Sequence, residues 1–162
     1  MTSNPTRYDN SPAVTTAPLS GNPSDDQPVI RINELNHSFG EGETRKQVLF
    51  QNSLEVKPGA IIIMTGPSGS GKTTLLTLIG TLRRVQEGSL SLLGKELRGI
   101  SQEATVELRK QIGFILQAHN LFESLTAFQN AKMAAELVGM SPTDSKERIE
   151  GLLTRLGLAE RI

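Results

Sequence analysis

The sequence has no cysteine and no tryptophan, its formal net charge is zero, and no long apolar run interrupts it. Without cysteine there is neither a disulfide framework nor a thiolate metal site, a composition that suits a reducing compartment. Seventeen Lys and Arg stand against seventeen Asp and Glu. No basic field therefore draws the chain onto nucleic acid or an anionic membrane, and partners have to be sought at local sites. The longest apolar runs, residues 60–64 and 74–80, fall well short of the ~20 residues that cross a bilayer. The N-terminus also lacks the basic-then-apolar pattern of an export signal, so the expectation is a soluble cytoplasmic chain.

What is present, 162 residues of which 36% are hydrophobic, is enough for one globular domain with a core of its own. Residues 1–28 stand apart: seventeen of them are Ser, Thr, Asn, Pro or Gly, including five of the chain's eight prolines. Too little apolar surface remains there to offset the entropy of ordering, so this stretch reads as a disordered tail and residues 29–162 as the globular part. Residues 29–35 alternate imperfectly and residues 48–56 supply a second β-like run, which predicts an antiparallel pair across the polar segment 40–46. Pro58-Gly59 then turns the chain into Ala60-Ile61-Ile62-Ile63-Met64, apolar at every position, as a strand buried on both faces of a parallel sheet would be.

Residues 73–82 carry Leu75, Leu76, Leu78, Ile79 and Leu82 at helical spacings and predict a mostly buried helix. A short strand at 88–93, a polar helix at 101–110 and a second buried strand at 112–116 continue an α/β alternation. The last third reads as helical. Thr126 and Gln129 make a capping box for a helix to about residue 138, and Ser141-Pro142 opens another, whose stripe of Ile149, Leu152, Leu153 and Leu156 ends at Gly157.

Between the apolar strand and the helix lies Gly66-Pro67-Ser68-Gly69-Ser70-Gly71-Lys72-Thr73. A triphosphate brings several negative charges that must be met at close range. Glycines at 66, 69 and 71 let backbone N–H groups point inward, and the following helix adds the positive end of its dipole. The pattern assigns Lys72 to the β- and γ-phosphates and the Thr73 hydroxyl to Mg2+. Ser70 and Thr74 are further hydroxyl donors beside Pro67 and Ser68, and the ligand expected is ATP with Mg2+. GTPases, small-molecule kinases and transport ATPases all use such a loop, so the loop does not choose among them.

The run Gly-Pro-Ser-Gly-Ser-Gly-Lys-Thr-Thr-Leu-Leu, with Gln117 placed 45 residues after Lys72 in Ile-Gly-Phe-Ile-Leu-Gln, resembles the ATP-binding cassette (ABC) family. Phe39-Gly40-Glu41-Gly42, residues 82–88 and Gln117-Ala118-His119-Asn120-Leu121 are similar to the DevA-type exporter ATPases, neighbours of the macrolide and lipoprotein exporter ATPases. The resemblance spans residues 29–162. It implies an α/β P-loop NTPase core with a RecA-like parallel sheet, an antiparallel β subdomain and the start of a helical subdomain. Gln117 would touch Mg2+ and the attacking water, serving catalysis with Lys72. Phe39 would stack on adenine, at a position where most members have Tyr. Leu121 and Phe122, within residues 118–125, would line the groove for a coupling helix of a membrane permease. The resemblance further implies a homodimer of ATPase subunits, peripheral on the cytoplasmic face of the plasma membrane, powering export of a lipid-like substrate. The plainer readings are a core phenylalanine for Phe39, a polar strand end for Gln117, and ordinary core for Leu121 and Phe122.

The family also uses an acidic strand end with a catalytic Glu, a Leu-Ser-Gly-Gly-Gln signature and a switch histidine, and none of these occurs here. After residue 28 the only aspartate is Asp144, at a polar helix start; His37 lies upstream of the loop and His119 directly beyond Gln117. The expectation is a chain truncated ahead of the signature that binds ATP and turns it over poorly. A non-catalytic nucleotide-binding fragment, a soluble P-loop kinase, and a soluble cassette protein with no membrane partner are the alternatives.

Overall fold

The computed structural model describes residues 27–115 and 121–159, together with the backbone of residues 13–17. The chain divides into two compact units, Met1–Arg109 and Lys110–Ile162. In the first unit the elements are β1 (Ala13–Ala17), β2 (Ile30–Phe39), β3 (Lys46–Val56), β4 (Ile61–Thr65), α1 (Lys72–Ile79), β5 (Glu87–Leu92), β6 (Lys95–Glu96) and α2 (Gln102–Arg109). The second holds α3 (Ala127–Leu137) and α4 (Pro142–Arg155).

β2 and β3 form the expected antiparallel pair, and the polar link between them contains a short 3-10 turn at Gly42–Thr44. They belong to a four-stranded antiparallel sheet in the order β3-β2-β5-β6. Side chains alternate across a strand, so the three-residue step from Ile32 to Leu35 would send the two to opposite faces in a regular ladder. The register shifts between these two residues, where Glu34 takes a positive φ of 46°. This extra residue is a bulge that returns Leu35 to the buried side, and both Ile32 and Leu35 are fully buried. It explains the imperfect alternation seen in the sequence. Gly88 lies across from the bulge with φ +84, and a Cβ there would collide with the Glu34 carbonyl.

β4 departs from expectation. In place of a strand buried on both faces of a parallel sheet, Ile61–Thr65 pairs antiparallel with Ala13–Ala17, Ala13 opposite Thr65 and Ala17 opposite Ile61. Ile61 and Ile63 are 55% and 59% exposed, whereas Ile62 and Met64 are half-buried. A strand covers one face per layer packed on it, and here one face is covered. The pairing also corrects the reading of residues 1–28 as wholly disordered. Val14, Thr15 and Thr16 are β-branched, and such a run satisfies the backbone groups along one edge of β4. The average composition of the tail hid that short run. Residues 112–115, expected to begin a second buried strand, are irregular with Ile115 98% exposed; an apolar run becomes a strand only where a neighbour completes its ladder. Leu116 lies outside the described residues.

α1 buries Leu75 and Leu78, while Leu76 and Leu82 stay about half exposed, so the helix is one-sided and not mostly buried. In the second unit, Thr126 Oγ1 accepts from the Gln129 amide at 3.1 Å and Gln129 Oε1 accepts from the Thr126 amide at 2.8 Å, the capping box read from sequence. Both helices end in a left-handed glycine, Gly139 and Gly157, with Met140 N–H donating to the Ala135 carbonyl and Leu158 N–H to that of Leu153. Ala135, Ile149 and Leu153 form a small core against which Phe128, Ala131, Met140 and Leu158 pack. The buried stripe of α4 is Ser145, Ile149 and Leu153, a strict four-residue repeat, whereas Leu152 and Leu156 are 50% and 72% exposed. A stripe on the outer flank of a two-helix unit has nothing to bury it.

Candidate phosphate-binding site

The loop leaves β4 at Thr65 and enters α1 at Lys72, the strand–loop–helix order the chemistry requires. Gly66, Gly69 and Gly71 have φ of +141°, +82° and +92°, backbone that L side chains rarely adopt. At Gly71 the constraint is also steric. A Cβ would stand 2.7 Å from Leu49 Cδ2 and 2.9 Å from the Val48 carbonyl oxygen, so β3 presses directly behind the loop. Gly69 faces open space, and only its conformation asks for glycine. Gly71 is the N-cap of α1 and offers no side-chain oxygen to the helix. The first-turn amides are therefore left without the usual cap, which suits an exogenous anion at the positive end of the dipole.

Lys72 folds back across this loop. Its Nζ donates to the Gly66 carbonyl at 2.8 Å, the Pro67 carbonyl at 2.9 Å and Ser70 Oγ at 3.3 Å. An ammonium has three donors, and all three go to loop oxygens that carry no formal charge. Its positive charge thus stays uncompensated at the loop while the side chain ties the loop's ends together. Ser70 is buried, and its hydroxyl serves as an internal tie to Lys72. Thr73 is exposed at the head of α1, and the Thr74 carbonyl accepts from Thr77 Oγ1. Gln117 and His119 lie outside the described residues. The residues present fit a polyphosphate: uncapped first-turn amides, glycines in positive-φ backbone with no room for a Cβ at Gly71, and one cation held over them.

Phe39 ends β2 and is about one-third exposed. Its ring meets His37 edge-to-face at 5.0 Å, and the Arg83 guanidinium carbon stands 4.8 Å from its centroid. Gln86 clamps the preceding backbone from both sides: its Oε1 accepts from Ser38 N–H at 2.8 Å and its Nε2 donates to Ser38 O at 3.0 Å. Burial, with the nearby Arg83 charge, holds the His37 imidazole below the usual histidine range, so the ring favours its neutral form. Sequence reasoning named Phe39 for adenine stacking and did not anticipate Arg83, Gln86 and His37 around it, because these contacts depend on a turn and a strand end meeting in space. Leu121 and Phe122 are 65% and 56% exposed. Asn130 holds the Phe122 backbone, accepting from Phe122 N–H and sharing its two N–H donors among the Phe122, Leu125 and Thr126 carbonyls.

The model of the ABC transporter family matches residues 49–161. This chain belongs to that family. Among curated relatives, the macrolide export ATP-binding/permease protein MacB of Marinobacter nauticus is 36% identical over 84% of this chain and 21% of its own length. The lipoprotein-releasing system ATP-binding protein LolD 2 of Rhodospirillum rubrum is 37% identical over 83% of this chain and 59% of its own. The chain therefore spans about a fifth of the MacB relative and three-fifths of LolD 2. In fold it is similar to the ATP-binding cassette MJ0796, solved as a dimer in a post-hydrolysis state with ADP and Pi, at a TM-score of 0.64, 24% identity, 77% of this chain and 56% of that one. It is also similar to cbiO1 of Clostridium perfringens, part of the cbiONQ transporter complex, at a TM-score of 0.66 and 20% identity over 84% of this chain and 53% of that one. The P-loop NTPase fold of the cassette ATPases is thus established for this chain, although the strand pairs of the described residues are antiparallel.

Proposed function

We propose that this ABC-family chain binds MgATP at residues 66–74 as the nucleotide-handling part of an export system, acting through a membrane permease on a lipid-like cargo. The observation that carries the reading is the left-handed glycine loop with Lys72 Nζ held above it. Thr73 and Gln117 would hold Mg2+, which would supply positive charge to offset that of the phosphates. The amides of the loop and of α1's first turn hold the β-phosphate. Lys72 exchanges loop carbonyls for phosphate oxygens, a charge-assisted bond in place of a neutral one. Phe39 presents the ring face not covered by Arg83 to adenine.

Similarity to macrolide- and lipoprotein-export proteins supports the export role, and the exposed Leu121 and Phe122 support a docking surface for the permease. No helix among the described residues is long and apolar enough to cross a membrane; attachment at the cytoplasmic face is part of the proposal. ATP hydrolysis and dimerisation of ATPase subunits belong to the same proposal. Asp144 accepts from Ser141 Oγ at the start of α4, and within this proposal the 162 residues by themselves bind ATP with little turnover. Displacement of a fluorescent ATP analogue tests the reading. ATP should displace it in the presence of Mg2+ and AMP should not, with phosphate release near background. Displacement by AMP as readily as by ATP would overturn it, because the loop reads the β- and γ-phosphates.

A further inference from the structure

Apart from the loop, the first unit contains a cavity of about 630 Å3 between the turn after α1 and the segment that enters α2. Three arginines line it, Arg83, Arg84 and Arg109, and no Asp or Glu does. Like charges gathered at a partly enclosed surface repel one another, and an anion offsets that cost.

Each guanidinium is differently held. Arg109 is fixed in place, its Nε donating to Thr81 Oγ1 at 3.0 Å and its Nη2 to the Thr81 carbonyl. Arg83 leans on the Phe39 ring. Arg84 makes no ion pair or hydrogen bond among the described residues. Of the acidic groups nearby in sequence, Glu87 pairs with Arg45, Glu96 is bonded to Ser89 and to the amides of Leu90 and Arg98, and neither these nor Glu107 lines the cavity; Glu103 stands on the first turn of α2. It is already engaged by its own amide and by Ser101, which hold its carboxyl below the usual range, and it does not line the cavity. The rest of the wall sets apolar Leu82, Val85, Leu97 and Ile100 beside the polar side chains of Thr81, Ser101, Gln102 and Thr105.

We infer that this cavity is a second anion site, separate from the phosphate loop, for a small oxyanion that carries an apolar group, such as a phosphomonoester. The fork of a guanidinium matches two oxygens of a phosphate or carboxylate, and Arg84 is the group with donors to spare. The apolar side chains of Leu82, Val85, Leu97 and Ile100 set the preference for an ester over the bare ion. The deciding group, Arg84, takes no part in the nucleotide reading, and no residue of the loop lines the cavity.

The test uses the full chain carrying Lys72→Ala, so that the phosphate loop does not contribute, with its fold checked by circular dichroism. Phenyl phosphate should bind saturably and more tightly than inorganic phosphate, with affinity falling as salt rises. Adding Arg84→Gln should weaken it at least about tenfold, the worth of one bond to a charged group, while Arg84→Lys should keep part of it. Flotation with phosphatidylcholine vesicles, with and without phosphatidic acid, separates the sources. Arg84-dependent flotation that requires phosphatidic acid identifies a lipid headgroup, and phenyl phosphate binding without flotation identifies a free ester. Absence of saturable phenyl phosphate binding, or binding that Arg84→Gln leaves unchanged, overturns the site.

Discussion

Ile32 and Ile63 have the same side chain, both lie in strands, and they meet opposite fates: one is 0% exposed, the other 59%. Ile32 sits in the four-stranded sheet, where a bulge at Glu34 turns it and Leu35 to the same buried side. Ile63 sits in β4, which among the described residues pairs with one strand and leaves Ile61 and Ile63 exposed. By composition β4 is the more apolar of the two strands. Hydrophobicity states what a segment could bury, and burial itself is decided by the layers that pack against it.

This contrast can be broken by substitution. Ile32→Ala should destabilise the chain by about 2–5 kcal/mol in denaturant unfolding, the range for emptying a filled core site. Gly71→Ala should cost about 1–3 kcal/mol, since a left-handed residue would gain a Cβ against Leu49 and the Val48 carbonyl; Gly69→Ala, with open space around it, should cost less. In the helical unit, where few side chains are buried, the caps count for more. Thr126→Ala should therefore lose about 1 kcal/mol by removing the capping box. Ile63→Ala should fall below ~1 kcal/mol, and a loss equal to that of Ile32→Ala would contradict the comparison.

The smallest expected effect is of pH. His37 binds its proton less readily when folded than at the ordinary value of 6.5, because burial and then the Arg83 charge disfavour the imidazolium. The unfolded chain gains the proton first, so stability should decline as pH falls below 6.5. For Glu96, burial opposes ionisation but is outweighed by bonds from Ser89 Oγ and the amides of Arg98, Leu90 and Leu97, which keep its pKa below 4.5. Its contribution is present above that value and fades as the pH drops further. A His37→Asn variant should flatten the first decline and leave the second.

The loop is legible in the sequence because its pattern is written in consecutive residues: glycines where φ is positive, then lysine at the head of a helix. Helix ends were legible for the same reason, Thr126 with Gln129 and Ser141 with Pro142 being local signals. What failed depended on neighbours distant in sequence. Nothing local in Ile61–Thr65 announces an antiparallel partner at Ala13–Ala17, and nothing in residues 112–115 announces that no ladder forms. The surroundings of Phe39 failed in the same way, since Arg83 and Gln86 reach it from a turn more than forty residues on.

The nucleotide proposal is tested most directly by titrating MgATP into the folded full chain and into its Lys72→Ala variant. Saturable, magnesium-dependent binding by the wild type and its loss in the variant is the result expected. A folded wild type that shows no saturation, or a variant that binds equally well, would contradict the claim that residues 66–74 hold polyphosphate.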